Sequence, residues 1–445
     1  MGETVITNVR VTDLRFPTSL HDIGSDAVNK DPDYSAAYCI LETNTGLTGY
    51  GLTFTLGRGT DLCVTALEYL ARYAKGRTLA SLTSDMAAFG RQLTDDSQFR
   101  WLGPEKGVIH LAAGALINAV WDLYARSERK PLWRLLCDLD TEQILSSIEF
   151  RYIDDVLPRE EARAILEQGR VGRQERIDLL LRGGYPAYTT SVGWFGFSDE
   201  KIRHLCRRAL AEGWSQFKLK VGGNPKDDLR RGRLIREEIG WDMKLMVDAN
   251  QKWSVDEAIA RTRELAELQP WWMEEPTSPD DILGHARIRA AVAPTRIATG
   301  EHIQNRIIFK QLFQAAAIDV CQIDSCRVAG VNENLAIMLM AAKFNIPVCP
   351  HAGGVGLCEY VQHLSAFDYV AVSRTMEDRV IEYVDHLHEH FVDPVKIRQG
   401  RYLMPSKPGY SIEIREDTLE RYCFPDGEVW NANAAVEAGA RENGR

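Results

Sequence analysis

Seven ionisable residues, Lys220, Asp248, Glu274, Glu301, Asp324, His351 and Glu382, recur along the chain at intervals of 23 to 31 residues. Each closes a short apolar run of β character. An interval of that size holds one strand, one helix and two loops, and polar residues at successive C-terminal strand ends are where barrel active sites are built. A single Asp after a strand is ordinarily a turn former or a helix cap. Seven in step ask for another explanation: on a closed barrel all seven would meet at one mouth.

Asp248, Glu274 and Glu301 would come from three neighbouring strands, and three carboxylates in one place raise one another's pKa unless a cation joins them. Oxygen-only ligands favour Mg2+ over the metals bound by Cys and His. Glu275, next to Glu274, is expected to point to the opposite face in a structural role. Three carboxylates with one Mg2+ keep a net negative charge, so an anionic substrate needs a further cation. The stretch QFKLKVGG at 216–223 offers two, because positions i and i+2 of a strand share a face. Lys218 would supply the counter-charge. Lys220, desolvated among cations, would have a depressed pKa and act as general base. Asp324 and His351 end consecutive strands, close enough for the carboxylate to hold one imidazole nitrogen while the other faces the site as acid. Gly353 and Gly354 in PHAGG permit a close backbone approach there.

The elements that must position these groups are legible as a rhythm. Beyond about residue 140, AYTTS, FKLKVG, KLMVDAN, WWMEEP, RIATGEH, VCQIDSC, IPVCPHAGG and VIEYVDH alternate with amphipathic helical stretches near 198–213, 227–239 and 254–268 and onward. Eight strands separated by helices predict an α/β fold of the TIM-barrel type. The preceding third reads as a small α+β unit: TVITNVRVTDLRFP, AAYCILETN and LTGYGLTFT form an antiparallel sheet, and a helix follows at 107–126. A polar, turn-rich loop at about 17–34 is placed to serve as a lid. The expected organisation is a cap over 1–140 and an insertion over 141–184, which carries a strand-like run LSSIEFRYI. The barrel follows over 185–390, then a segment over 391–430 that packs back toward the cap, and a flexible tail over 431–445.

Composition narrows the function classes. A formal charge of −10 at neutral pH argues against a nucleic-acid surface, which needs a basic footprint. No run of about 20 consecutive apolar residues suggests a membrane span, and the first residues lack the basic-then-apolar pattern of a secretory leader. The expected compartment is the cytosol. Nine scattered cysteines without a CxxC pair read as reduced core residues.

The motifs KLK at 218–220, VDAN at 247–250, EEP at 274–276, GEH at 300–302, the Asp324/His351 pair and Glu382 resemble the enolase superfamily, in its mandelate-racemase-like subgroup. That resemblance covers nearly the whole chain. It implies a modified (β/α)7β barrel with an N-terminal α+β cap and Mg2+ on Asp248, Glu274 and Glu301. It also implies Lys220 as base, His351 as acid with Asp324 as its partner, and Lys218, Asn250 and Glu382 as polar contacts to substrate. Gly24, Ser25, Asp26 and Tyr34 become lid contacts. Segments such as GSDA, WLGPEKGV and CPHAGGVGLCE are similar to those of acid-sugar dehydratases of the subgroup, which implies dehydration of a small acid sugar, L-fuconate foremost, by a homo-oligomeric lyase. A dehydratase or epimerase for another aldonate, a Schiff-base lyase using a strand lysine, and a catalytically inert binding barrel are the alternatives.

Overall fold

The computed structural model describes residues 2–21 and 23–431. Lid residue Asp22 and all of the expected flexible tail except Asn431 lie outside the described residues. Strands β1 (Ile6–Arg15), β2 (Ser35–Thr43) and β3 (Thr48–Thr55) form an antiparallel sheet in the order β1-β2-β3. The β2–β3 turn falls at Asn44–Gly46, with Gly46 at φ 80°.

The helix Gly107–Ser127 packs on this sheet so closely that a Cβ at Gly49 or Gly51 would stand 2.6 Å from the Ala119 carbonyl oxygen or 2.2 Å from that of Ala115. Glycine there lets backbone meet backbone. By length and composition this helix could cross a membrane, contrary to the sequence expectation. Its apolar residues are spent inside the protein instead, with 78% of its most apolar window buried between the β1–β3 sheet and the helix Gly330–Lys343.

The barrel begins at β4 (Tyr185–Gly193) and continues through β5 (Gln216–Lys220), β6 (Lys244–Asp248), β7 (Trp272–Glu274), β8 (Arg296–Thr299) and β9 (Val320–Cys321), each parallel to the last. The seventh position is reduced to one bridge, Val348 to Cys321, extended by the His351 N–H donating to the Ile323 carbonyl at 3.0 Å. The eighth strand, β10 (Ile381–Tyr383), pairs with β4, and its Glu382 N–H donates to the Pro350 carbonyl. The ring is thereby closed. Seven helices alternate with these eight positions, which is the (β/α)7β pattern. Two short strands, β11 (Lys396–Arg398) and β12 (Arg401–Leu403), extend the outer edge of β4. Beyond them the chain returns to the cap, where the Tyr38 hydroxyl donates to the Ile412 carbonyl at 3.0 Å and Leu14 bridges Cys423.

The stretch LSSIEFRYI is not a strand. After the helix Thr141–Leu145 it runs as turns, and two helices follow, Arg159–Arg170 and Arg173–Gly183. Ile148 and Ile153 plug the core separately, and among the described residues no strand pairs with this stretch. All nine cysteines are free thiols, eight of them buried.

Candidate active site

Strand register sets the site's geometry. Lys220 is level with Asp248, Asp248 with Glu274, and Glu274 with Ala298. Neighbouring parallel strands lie about 4.8 Å apart, so one amine and two carboxylates form a single row across β5, β6 and β7. Glu301, just past β8, completes a set in which Asp248, Glu274 and Glu301 each offer an oxygen within 4.8 Å of the others.

These oxygens are crowded and almost wholly buried. Burial and Asp248 push the Glu274 carboxyl up to about 8. Burial would also raise Asp248 and Glu301, but Lys220 and Lys218 hold Asp248 below its ordinary value, and His351 and His302 do the same for Glu301. One Glu301 oxygen, Oε2, is buried without a hydrogen-bond partner. A set of hard oxygens with one member driven toward protonation and one oxygen unsatisfied fits a divalent cation, and Mg2+ matches its chemistry.

Lys218 departs from expectation. Its ammonium is fully buried, 2.7 Å from both Glu274 and Glu382 and 3.4 Å from Asp248. It therefore braces the carboxylates from beneath and does not stand free to meet a substrate. Lys220 donates to Asp248 Oδ2 at 2.6 Å and reaches the cavity above. Its pKa also runs against expectation. Burial would lower it, but Asp248, with help from Glu301 and Asp26, holds it above the ordinary lysine range. The nearer anion, Asp248, outweighs the cations around Lys220.

A cavity of about 230 Å³ lies over the strand ends, beneath the cap. Lys220, Asn250, Glu301, Asp324, His351 and Glu382 line it from the barrel, and Gly24, Asp26 and Tyr34 from the lid. Asp248 and Glu274 lie under its floor. Ser25 is turned away, its hydroxyl donating to the Phe195 carbonyl at 3.0 Å, and it borders a separate opening with Gly222 and Gly223. On the far side, His351 Nδ1 donates to Asp324 Oδ2 at 2.8 Å, and Asp324 is itself fixed by the N–H groups of Cys326 and Arg327. Nε2 faces Glu301 at 3.5 Å, Glu382 at 3.8 Å and the Gly353 N–H at 3.1 Å. Burial lowers the imidazole pKa, yet the surrounding carboxylates hold it up to about 9.

Several groups around the cavity escaped sequence reasoning. Glu275 does not point away. A φ of 43° turns the chain directly after β7, and its buried carboxylate meets His302 Nδ1 at 2.9 Å and Gln251 Nε2 at 2.8 Å, beside Glu301. His302, Trp194 and Arg327 line the cavity as well. His302 was within reach, because it follows Glu301 in GEH. Trp194 and Arg327 sit in loops past strand ends, where periodicity carries no signal.

Comparison with known proteins places this geometry in a family. Residues 201–418 match the family model described as enolase C-terminal domain-like. Mitochondrial enolase superfamily member 1 of Bos taurus is 57% identical over 96% of this chain and 97% of its own. The chain belongs to the enolase superfamily, with that superfamily's capped barrel. L-galactonate dehydratase of Hypocrea jecorina is 52% identical over 96% of this chain and 95% of its own. The crystal structure of human mitochondrial enolase superfamily member 1 superposes with a TM-score of 0.96 at 54% identity, covering 97% of this chain and 98% of that one.

Proposed function

We propose that the protein is a Mg2+-dependent acid-sugar dehydratase, with L-fuconate as its foremost substrate and L-galactonate as the nearest competitor. The observation that carries this is the placement of Lys220 and His351. They face one cavity from strand positions across the barrel, with the three carboxylates between them. The similarity to L-galactonate dehydratase supports the reaction class.

Asp248, Glu274 and Glu301 would hold the cation, which when bound supplies positive charge to offset the negative charge that builds on the substrate carboxylate. Lys220, which must first give to solvent the proton that Asp248 helps it keep, then as a free amine takes the proton from the carbon next to that carboxylate. His351, kept in orientation by Asp324, gives its Nε2 proton to the departing 3-hydroxyl, which leaves as water. The resulting enol tautomerises to a 2-keto-3-deoxy acid. A base and an acid acting from different walls of the cavity give anti elimination. Lys218 holds Glu274 and Glu382 in place without touching the reacting atoms. Gly24, Asp26 and Tyr34 close the cavity from the lid, and Asn250, whose Oδ1 is buried without a partner, offers a polar contact. Action in cytosolic acid-sugar breakdown and assembly into a homo-oligomer belong to the same proposal.

The test is a library of acid sugars assayed for 2-keto products with Mg2+ added or chelated. Product from L-fuconate or L-galactonate that disappears on chelation supports the assignment. Epimerised acid without keto product would replace dehydration by racemisation, and metal-independent trapping by borohydride would point to a Schiff base.

A further inference from the structure

Arg327 is an arginine with unspent donors. It follows β9, three residues beyond Asp324, and is half-buried in the cavity wall. Its backbone N–H donates to Asp324 Oδ1 at 2.8 Å and its Nε–H to the Glu301 carbonyl at 3.0 Å, which fixes the plane of the guanidinium. Among the described residues neither terminal nitrogen has a hydrogen-bond partner, and no carboxylate lies within 4.0 Å of the guanidinium. Among the described residues the other basic groups lining this wall are each paired: Lys220 with Asp248, His302 with Glu275, His351 with Asp324. Thr55 and Leu56 from the end of β3 and Leu111 from the long cap helix line the same cavity, and the preceding residue, Cys326, accepts from the Thr53 hydroxyl and the Phe54 N–H of β3, so Arg327 sits where barrel meets cap. Its charge also reaches Cys63 in the cap, where it works against the rise to about 11 that burial gives that thiol. Asp248 and Glu274 lie under the floor of the cavity, whereas Arg327 lines its wall.

A guanidinium anchored by Nε, with two free N–H-bearing nitrogens in a cavity, is built to meet a pair of oxygens. We infer that Arg327 is a specificity-determining residue that receives the oxygen-bearing end of the acid sugar remote from its carboxylate, which lets a chain whose sixth carbon carries oxygen compete with one ending in methyl. This rests on the dehydratase function proposed above and extends it. L-Galactonate and L-fuconate differ only there, a hydroxymethyl in one and a methyl in the other, so the protein should turn over both and Arg327 should set their ratio.

The experiment is an enzyme-by-substrate cycle. Values of kcat/KM for L-galactonate and L-fuconate are measured with the unaltered protein, Arg327→Met and Arg327→Lys, all Mg2+-loaded. Because Arg327 also holds the Glu301 carbonyl, any disturbance of the metal centre depresses both substrates alike and cancels in the ratio. The expected result is a fall of about ten- to a hundred-fold in the L-galactonate to L-fuconate ratio for Arg327→Met, the scale of losing a charge-assisted hydrogen bond. Arg327→Lys, which keeps the charge but loses the fork, should fall between. An unchanged ratio in both variants overturns the inference and leaves the dehydratase assignment standing. Failure of the unaltered protein to form 2-keto product from either acid overturns both.

Discussion

His351 and Asp324 are joined at 2.8 Å through Nδ1 and Oδ2, and the same aspartate accepts from two backbone N–H groups through its other oxygen. Asp324 is thus immobilised by the chain before it orients the imidazole. An Asp324→Asn variant keeps the shape and loses the charge. Dehydration should fall by about 10²- to 10⁴-fold, the usual worth of a positioned acid or base. Exchange of the substrate's α-proton with solvent deuterium, which falls to Lys220, should continue. Proton NMR reads both at once, and loss of exchange together with dehydration would show that the two residues do not divide the work.

Lys220→Ala removes the proposed base while leaving Lys218 to compensate Asp248 at 3.4 Å. Deuterium incorporation at the α-carbon should drop below detection with the fold intact by circular dichroism. Persistent exchange would reassign the base, to His351 in the first instance.

The carboxylate set should make Mg2+ a stabilising ligand. A ligand that binds only the folded state raises stability by mass action, about 2.7 kcal/mol at a hundred times its Kd. Saturating Mg2+ should therefore raise the melting temperature, and Glu301→Gln should abolish most of that rise. A variant that melts with the same Mg2+ dependence as the parent would remove Glu301 from the ligand set.

Cap and barrel are clamped by a buried ion cluster. Glu333 meets His110 Nε2 at 2.6 Å and Arg306 Nη1 at 3.3 Å, and accepts from the N–H groups of Arg306 and Ala329. Burial would raise its carboxyl, but His110 and Arg306 outweigh that and bring it down to about 2. The unfolded chain has it near 4.5. Its contribution is therefore fully present above pH 4.5 and is lost as pH falls toward 2. Glu333→Gln should cost about 3–5 kcal/mol at neutral pH, because it leaves buried charge uncompensated. It should also flatten this part of the acid dependence in urea titrations from pH 6 to 2.5. Equal pH slopes for both proteins would contradict the assignment.

The barrel was legible because every strand run after the first is closed by an ionisable residue, so period and punctuation agree. The convergence of Asp248, Glu274 and Glu301 was legible for the same reason. Four features were not. Glu275 follows a strict alternation on paper, but its own left-handed φ, just past the strand, turns it back toward the site. Lys218 and Lys220 share a face, yet the row beneath the mouth is sealed by Glu274 and Glu382, and alternation carries no information about depth. The lysine pKa turned on a single carboxylate at 2.6 Å, a distance that the parallel pairing of β5 with β6 creates and that sequence spacing conceals. In LSSIEFRYI the alternation was genuine, but a strand requires a partner, and none lies alongside.

The level row of Lys220, Asp248 and Glu274 has one more consequence. Peptide hydrogen bonds between β5, β6 and β7 set those three positions, and the side chains standing on them contribute nothing to the pairing. Coordinates are thus stored in the main chain and reagents in the side chains. New chemistry can be written into the row by exchanging residues one at a time, each replacement inheriting an address it did not have to build.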